Sequence, residues 1–176
     1  ITDSQALACA IQGVTAIKLL KDVVPGQTVL IYGASSGVGI FAMQIAKLKG
    51  ARVIAVTSES KMDLVSRFKP DSIISSKHPQ CRADYILDMV GGEYVSRNLQ
   101  TLAPRGRHVS ISTQKGARTE INLRLVMQKR LILTGSTLRA RPAAEKARLA
   151  CEIESKIWPL VKTGHVKSVV FREFPI

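Results

Sequence analysis

Val29-Leu30-Ile31-Tyr32-Gly33-Ala34-Ser35-Ser36-Gly37-Val38-Gly39 is the stretch of the 176-residue sequence that decides its fold. An apolar run typical of a buried strand leads into a turn of small residues, and an amphipathic helical pattern follows over residues 38–49. Small residues let the backbone turn tightly and approach a phosphate, and a helix N-terminus offers unpaired N–H groups to an anion. The order of strand, turn and helix therefore predicts a dinucleotide-binding site at this turn.

Five further apolar runs predict strands, over residues 53–56, 72–74, 85–90, 108–111 and 131–133. Their residues are apolar at successive positions, as strands buried within a parallel sheet require. Helical spacing recurs between them, over residues 61–68 and 94–102. Two more helices are predicted outside this alternation, one over residues 5–20 and one from Pro142 to about residue 164. The predicted fold class is α/β: a doubly wound, mostly parallel sheet of six strands with helices on both faces.

One connection is unusually short. Only ten residues separate Ile74 from Tyr85, whereas a parallel crossover that contains a helix needs at least about ten to twelve. Either this connection has no helix or residues are missing from the sequence. We favour missing residues, because the strands on both sides are otherwise regular.

Composition excludes several classes of protein. Hydrophobic residues make up 45% and charged residues 22%, which is too apolar for a disordered chain, and no apolar run reaches the roughly 20 residues of a membrane span. Cys9, Cys81 and Cys151 are too far apart for a CxxC metal motif and too few for a disulfide scaffold, so we expect buried free thiols and a cytoplasmic location. The sequence begins without Met or a signal pattern, and we expect a piece of a longer protein.

Positive charge is concentrated in one part of the chain. The net charge is +13, and residues 97–148 contain twelve basic residues against Glu120 and Glu145. Such an excess favours an anionic partner: a phosphate-bearing cofactor, a nucleic acid, or an acidic surface on a missing part of the protein. The same stretch has no Phe, Tyr or Trp, which argues against a nucleic-acid site and favours a solvated basic face.

The residues after the second predicted strand bear on which dinucleotide binds. NAD-binding sites normally place an acidic residue at this strand end, to bind the ribose 2′-hydroxyl. Here Thr57 stands at the strand end, Ser58 follows, and Lys61 can supply a charge to a 2′-phosphate, so the sequence favours NADP(H) over NAD. Two observations keep alternatives open: Glu59 could serve NAD, and Ser58 could simply cap the next helix.

Several strings together resemble the zinc-free, zeta-crystallin-like quinone oxidoreductases of the medium-chain dehydrogenase/reductase superfamily. They are Gly13-x-Thr15-Ala16, Pro25-Gly26, the glycine-rich turn, Leu87-Asp88-Met89-Val90-Gly91-Gly92 and the LILTGSTLRAR string of residues 131–141. The resemblance implies a Rossmann domain over residues 25–141, preceded over residues 1–24 by a helix that leads in from a missing N-terminal catalytic domain. Residues 142–176 would then be a helix and a segment that returns toward that domain.

The resemblance also implies site residues. Thr15 would contact the nicotinamide end of NADP(H), Ser36, Gly37 and Val38 the pyrophosphate, and Lys61 the 2′-phosphate. The other implied cofactor-binding positions are Thr57, Ser58, Ser76, Val90, Ser112, Thr113, Thr137, Leu138 and Arg139. Ser76 replaces the tyrosine usual near the adenosine, which weakens the NADP assignment. Ile11 stands where zinc-dependent relatives have a ligand cysteine, which argues against a catalytic zinc.

The implied activity is hydride transfer from NADPH to a small-molecule quinone or conjugated carbonyl acceptor. The alternatives are an NADP-dependent enoyl or alkenal reductase of the same superfamily, or a basic nucleic-acid-binding module. Family habit also implies a homodimer, formed through the sixth strand. His78, His108 and His165 have no carboxylate at a recognisable spacing, so we expect surface or structural histidines and assign no catalytic residue to this chain.

Overall fold

A single parallel sheet forms the centre of the molecule. The computed structural model describes residues 2–75 and 81–170. Its six strands lie in the order β3-β2-β1-β4-β5-β6, and each neighbouring pair is parallel. This is the strand order of a Rossmann fold and confirms the predicted fold class. The strands are β1 (Thr28–Tyr32), β2 (Arg52–Thr57), β3 (Ser72–Ser75), β4 (Ala83–Asp88), β5 (Leu102–Ser110) and β6 (Ile132–Gly135).

Helices cover both faces of this sheet. They are α1 (Asp3–Leu19), α2 (Gly37–Leu48), α3 (Met62–Ser66), α4 (Tyr94–Thr101), α5 (Leu123–Lys129), α6 (Ala143–Lys156) and α7 (Trp158–Lys162). Successive strand residues point to opposite faces, so β1 sends Val29 and Ile31 into one hydrophobic cluster and Leu30 and Tyr32 into the other. The first cluster includes residues of α1, α2, α3, α6 and α7, and the second includes residues of α4 and α5.

The predicted strands and the helices around the glycine-rich turn are confirmed, and three details differ. The expected single helix after Pro142 ends at Lys156, and α7 begins at Trp158, because Pro159 lacks an amide and is accommodated only in a first helical turn. The short helix α5 had no predicted counterpart. The strand β5 begins at Leu102, six residues earlier than expected.

Seven residues separate the end of β3 from the start of β4. This is the connection from which we predicted that residues are missing. Residues 76–80 lie outside the described part of the chain, as do residues 171–176. Among the described residues, no helix is both long enough and apolar enough to cross a membrane.

Candidate functional site

The turn between β1 and α2 is fixed by a cap and by a close backbone approach. The Ser36 Oγ accepts a hydrogen bond from the Gly39 amide at 3.0 Å, which caps the N-terminus of α2. A Cβ on Gly39 would lie 2.3 Å from the Gly33 carbonyl oxygen, so a side chain there would force α2 away from β1. The amides of Gly37 and Val38 belong to the first helical turn and have no partner within the helix, which leaves them available to an anion.

A cleft of about 510 Å³ opens beside this turn. Its walls come from α1, from the start of α2 and from the segments that follow β4, β5 and β6. The structure brings together here eight of the predicted site residues: Thr15, Ser36, Gly37, Val38, Ser112, Thr137, Leu138 and Arg139. The cleft therefore joins residues from five separate parts of the sequence.

The topology explains why these residues meet. Because all strands are parallel, the segments after β1, β4, β5 and β6 leave the sheet at the same edge. The strands β1 and β4 are neighbours, with β2 and β3 on one side of them and β5 and β6 on the other. Ligands of open α/β sheets bind in the crevice at this point of reversal, which is where the cleft lies.

Sequence reasoning missed seven residues that line the cleft: Gln12, Val14, Lys18, Met89, Ile111, Gln114 and Ser136. Gln12 and Lys18 lie three residues before and after Thr15, so helical spacing alone could have placed all three on one face of α1. Met89 lies against the turn, because its Sδ accepts a hydrogen bond from the Ser36 Oγ at 3.4 Å.

Gln12 also gives the cleft an unused acceptor. A Cβ on Gly37 would lie 2.8 Å from the Gln12 Cγ, so this side chain packs directly over the start of α2. The Gln12 Oε1 is buried and has no hydrogen-bond partner among the described residues. Two free amide donors beside one orphaned acceptor fit a ligand that carries both phosphate and hydroxyl groups.

The predicted 2′-phosphate residues lie in a different place, after β2. Thr57 is buried, and its Oγ1 donates a hydrogen bond at 3.2 Å to the Ser35 Oγ, so the hydroxyl supports the glycine-rich turn. The Ser58 side chain makes no capping hydrogen bond and instead lies 3.3 Å from the Ser60 Oγ. Lys61 ends a single 3-10 turn and is exposed. None of the three lines the cleft of about 510 Å³.

The remaining predicted residues lie at the ends of β4 and β5 or outside the described chain. The Val90 carbonyl accepts a hydrogen bond from the Lys115 amide at 2.7 Å, which ties the segment after β4 to the segment after β5. Thr113 packs against Gly91 and shares a shallow neighbouring cavity with Ser112. Ser76 and His78 lie outside the described residues.

His108 has a carboxylate partner, contrary to the expectation from spacing. Its Nε2 lies 3.2 Å from Asp88 Oδ2, and both side chains are buried. Asp88 Oδ1 accepts hydrogen bonds from the amides of Val90 and Gly91, at 2.7 and 3.2 Å. Spacing could not reveal this pair, because neighbouring strands of a parallel sheet bring the two residues together. Asp88 thus holds the segment after β4. His108 is buried beside it, and its Nε2 also lies 3.2 Å from the Asn98 Nδ2, which agrees with a structural role for His108.

Much of the basic stretch is used within the molecule. Arg97, Arg107, Arg141 and Arg148 form ion pairs with Glu93, Asp22, Glu145 and Glu152. The Lys129 Nζ donates to three carbonyl oxygens near the end of α4. The Lys146 Nζ donates a hydrogen bond to the Arg139 carbonyl. Half of the twelve basic side chains therefore have partners inside the chain, which weakens the nucleic-acid hypothesis.

Cysteines and metal donors are dispersed. Cys9 is buried, Cys81 is half-buried and Cys151 is exposed, so the expectation of three buried thiols is wrong at Cys151. That residue lies on the outer face of α6, whose buried residues are Leu149 and Ile153. Burial raises the pKa of the Cys9 and Cys81 thiols. Among the described residues, no three His, Cys, Asp or Glu side chains lie where they could hold a metal ion together.

Comparison with known proteins identifies the family to which the chain is similar. The model of the family described as zinc-binding dehydrogenase matches residues 37–152. The chain is 34% identical over 151 residues to an acryloyl-coenzyme A reductase of Metallosphaera sedula, an alignment that covers 82% of this chain and 45% of that protein. It is 27% identical to a quinone oxidoreductase of Pseudomonas aeruginosa, over 98% of this chain and 57% of that protein.

A solved structure agrees in fold. The crystal structure of Escherichia coli quinone oxidoreductase complexed with NADPH superposes with a TM-score of 0.83 at 26% identity, over 97% of this chain and 56% of that one. The chain thus spans about half the length of the relatives that it matches.

Proposed function

The chain belongs to the zinc-binding dehydrogenase family of the medium-chain dehydrogenase/reductase superfamily, and on that premise we propose that it is the NADPH-binding domain of an oxidoreductase. The observation that carries the proposal is the start of α2, where the amides of Gly37 and Val38 have no partner within the helix and both residues line a cleft of about 510 Å³. The NADPH complex of the E. coli quinone oxidoreductase supports the same cofactor.

Different residues of the chain bind different parts of the cofactor. The amides of Gly37 and Val38 bind the pyrophosphate, because the helix dipole and unpaired N–H groups favour an anion there. Lys61 binds the 2′-phosphate on the β2 side. Thr15 and the segment 136–139 lie on the opposite side and hold the nicotinamide half, where the Leu138 side chain helps to exclude water.

When bound, NADPH supplies the hydride. This chain contributes orientation of the ring, and we assign the acceptor site to a further N-terminal domain, to which residues 1–24 lead and residues 142–176 return. The proposed acceptor is a quinone, and Ile11 at the position of a ligand cysteine supports a reaction without zinc. Metal analysis of the full-length protein tests that last point.

A conjugated thioester is the second candidate acceptor. The specific observation in its favour is the 34% identity to an acryloyl-coenzyme A reductase, which exceeds the 27% identity to a quinone oxidoreductase. Both acceptors take a hydride onto an electron-poor carbon or ring, so the domain that binds the cofactor does not distinguish them. Steady-state assays of the full-length protein, with quinones and with enoyl thioesters, separate the two.

The proposed assembly is a homodimer formed through β6. This strand is at the edge of the sheet, and its Ile132 and Leu133 are exposed. The helix α5, which precedes this strand in the chain, exposes Leu123 and Met127 one helical turn apart. An exposed edge strand and exposed apolar side chains both favour pairing with a second copy. The three free cysteines fit the proposed cytoplasmic location.

The experiment that tests the cofactor assignment is a titration of this chain with NADPH and with NADH, followed by nicotinamide fluorescence at low and high salt. We expect tighter binding of NADPH, with a preference that weakens as salt screens the 2′-phosphate. Equal or tighter binding of NADH would move the assignment to Glu59 and an NAD enzyme.

A further inference from the structure

We propose that Glu145 is a positioning residue that sets the distance between the two walls of the cleft on its nicotinamide side. This inference rests on the proposed function, because it names the residue that holds the cofactor site in shape. Glu145 lies in the first turn of α6 and does not line the cleft of about 510 Å³. It acts through two neighbours. Lys18 lines the cleft, and Arg141 binds the backbone of the segment that forms the opposite wall.

One wall of the cleft is α1, and Glu145 contacts it through Lys18. The Glu145 Oε1 accepts a hydrogen bond from the Lys18 Nζ at 3.4 Å. Lys18 lines the cleft one helical turn after Thr15, the residue predicted to contact the nicotinamide. Both charged side chains are about one-quarter exposed or less, which leaves their attraction only partly screened by water.

The other wall is the segment after β6, and Glu145 contacts it through Arg141. The Arg141 Nη1 donates to both carboxylate oxygens of Glu145, at 2.8 and 3.1 Å. The Arg141 Nε donates to the Thr137 carbonyl at 3.1 Å, and its backbone amide donates to the Leu138 carbonyl at 3.1 Å. Lys146, the next residue of α6, holds the Arg139 carbonyl at 2.9 Å.

Glu145 therefore stands between α1 and the segment 137–139, with a hydrogen-bonded path to each. Arg141, followed by Lys18, lowers the pKa of the Glu145 carboxyl, which keeps it ionised near neutral pH. If Glu145 lost its charge, Lys18 and Arg141 would be two neighbouring cations with no anion between them. The two walls would then separate or lose their fixed spacing.

The effect is confined to one half of the cofactor. The start of α2 lies at the reversal between β1 and β4, and Lys61 follows β2 on one side of it. Thr137 and Leu138 follow β6 on the other side. A ligand that carries only the adenosine and its 2′-phosphate would use the Lys61 side and would not reach the walls that Glu145 holds.

The test compares Glu145→Gln with the wild-type chain for two ligands, NADPH and 2′,5′-ADP, which carries the adenosine and the 2′-phosphate alone. Glutamine keeps the shape of the side chain and removes its charge. We expect the Kd for NADPH to rise about fivefold, the scale of one partly screened ion-pair cluster, and the Kd for 2′,5′-ADP to stay unchanged. Glu152→Gln is the matched control, because Glu152 pairs with Arg148 and Lys156 on the same helix, does not line the cleft and has no hydrogen bond to the described residues of either wall.

Two results with the variant would overturn the inference: an unchanged Kd for NADPH, or an equal loss for both ligands, which a general loss of structure would give. Thermal melts of the variant separate unfolding from a local effect. If the wild-type chain binds neither ligand, the proposed function itself fails, and the inference fails with it.

Discussion

Lys61 and Glu59 lie in one short turn after β2, and they favour different cofactors. A carboxylate there binds the ribose 2′-hydroxyl of NAD and repels a 2′-phosphate, whereas an ammonium group attracts the phosphate. The hydroxyl of Thr57, predicted to help at this place, is instead engaged with Ser35. The proposed preference for NADPH therefore depends on Lys61 more than the sequence alone indicated.

Replacing Lys61 with alanine should weaken NADPH binding about 10- to 100-fold, the value of one charge-assisted contact to a phosphate. NADH binding should stay unchanged, because NADH has no 2′-phosphate. Calorimetric titration of the two cofactors measures both. Lys162→Ala, an exposed lysine on α7, is the control. A similar loss for both cofactors would place Lys61 elsewhere in the site.

At the scale of elements, Asp71 joins β2, β3 and α2. Its Oδ2 accepts a hydrogen bond from the Val53 amide at 2.7 Å, and the Lys47 Nζ lies 3.2 Å from the same carboxylate. The Val53 amide and then Lys47 lower the pKa of the Asp71 carboxyl. A carboxyl with a lowered pKa in the folded state stabilises the fold above the pKa of the unfolded chain, and this contribution is lost as pH falls through the folded value.

Asp71→Asn should therefore lower the free energy of unfolding by about 1 kcal/mol at pH 7, a small value because the carboxyl is partly exposed. The difference from the wild type should shrink as the pH falls below the ordinary carboxyl value of 3.8. Urea unfolding over a series of pH values measures it, with the exposed Asp63→Asn as control. A difference that is constant with pH would mean that the charge of Asp71 contributes nothing.

The elements that sequence predicts best are those whose pattern is set by burial. All six strands and the helix after the glycine-rich turn were predictable, because β-branched runs and small residues leave few alternatives. The short helix α5 was not, since seven residues in a basic stretch give little periodicity. In the site, the resemblance named Thr15 but not Gln12 or Lys18, although all three share one face of α1. The pairing of Asp88 with His108 needed the register of β4 and β5, which spacing along one chain does not give.

At the scale of the whole molecule, the ends of the described chain pack on the same body. The helix α1 packs against α2 and α6. The Gln44 side chain of α2 donates to the Lys167 carbonyl at 3.0 Å and accepts from its amide at 2.7 Å. Both flanking segments are thus anchored on α2.

The proposed dimer can be tested at this scale. Exchanging Leu123 and Met127 for glutamate should convert a dimer into a monomer, because two buried charges per subunit would face the partner without compensation. Both side chains are well exposed in the single chain, 64% and 76%, so the exchange should leave folding intact. Sedimentation velocity measures the mass, with Leu48→Glu on α2 as control. A wild-type chain that sediments as a 19.2 kDa monomer at tens of micromolar would contradict the assembly.

The proposed cofactor site is tested most directly by a residue-by-residue NMR titration of the backbone amides with NADPH. We expect the largest shifts at Gly37 and Val38, with further shifts at Lys61 and in the segment 137–139. Shifts confined to the exposed basic residues of 97–148, with the amides at the start of α2 unchanged, would contradict it and return the basic face to consideration as the binding surface.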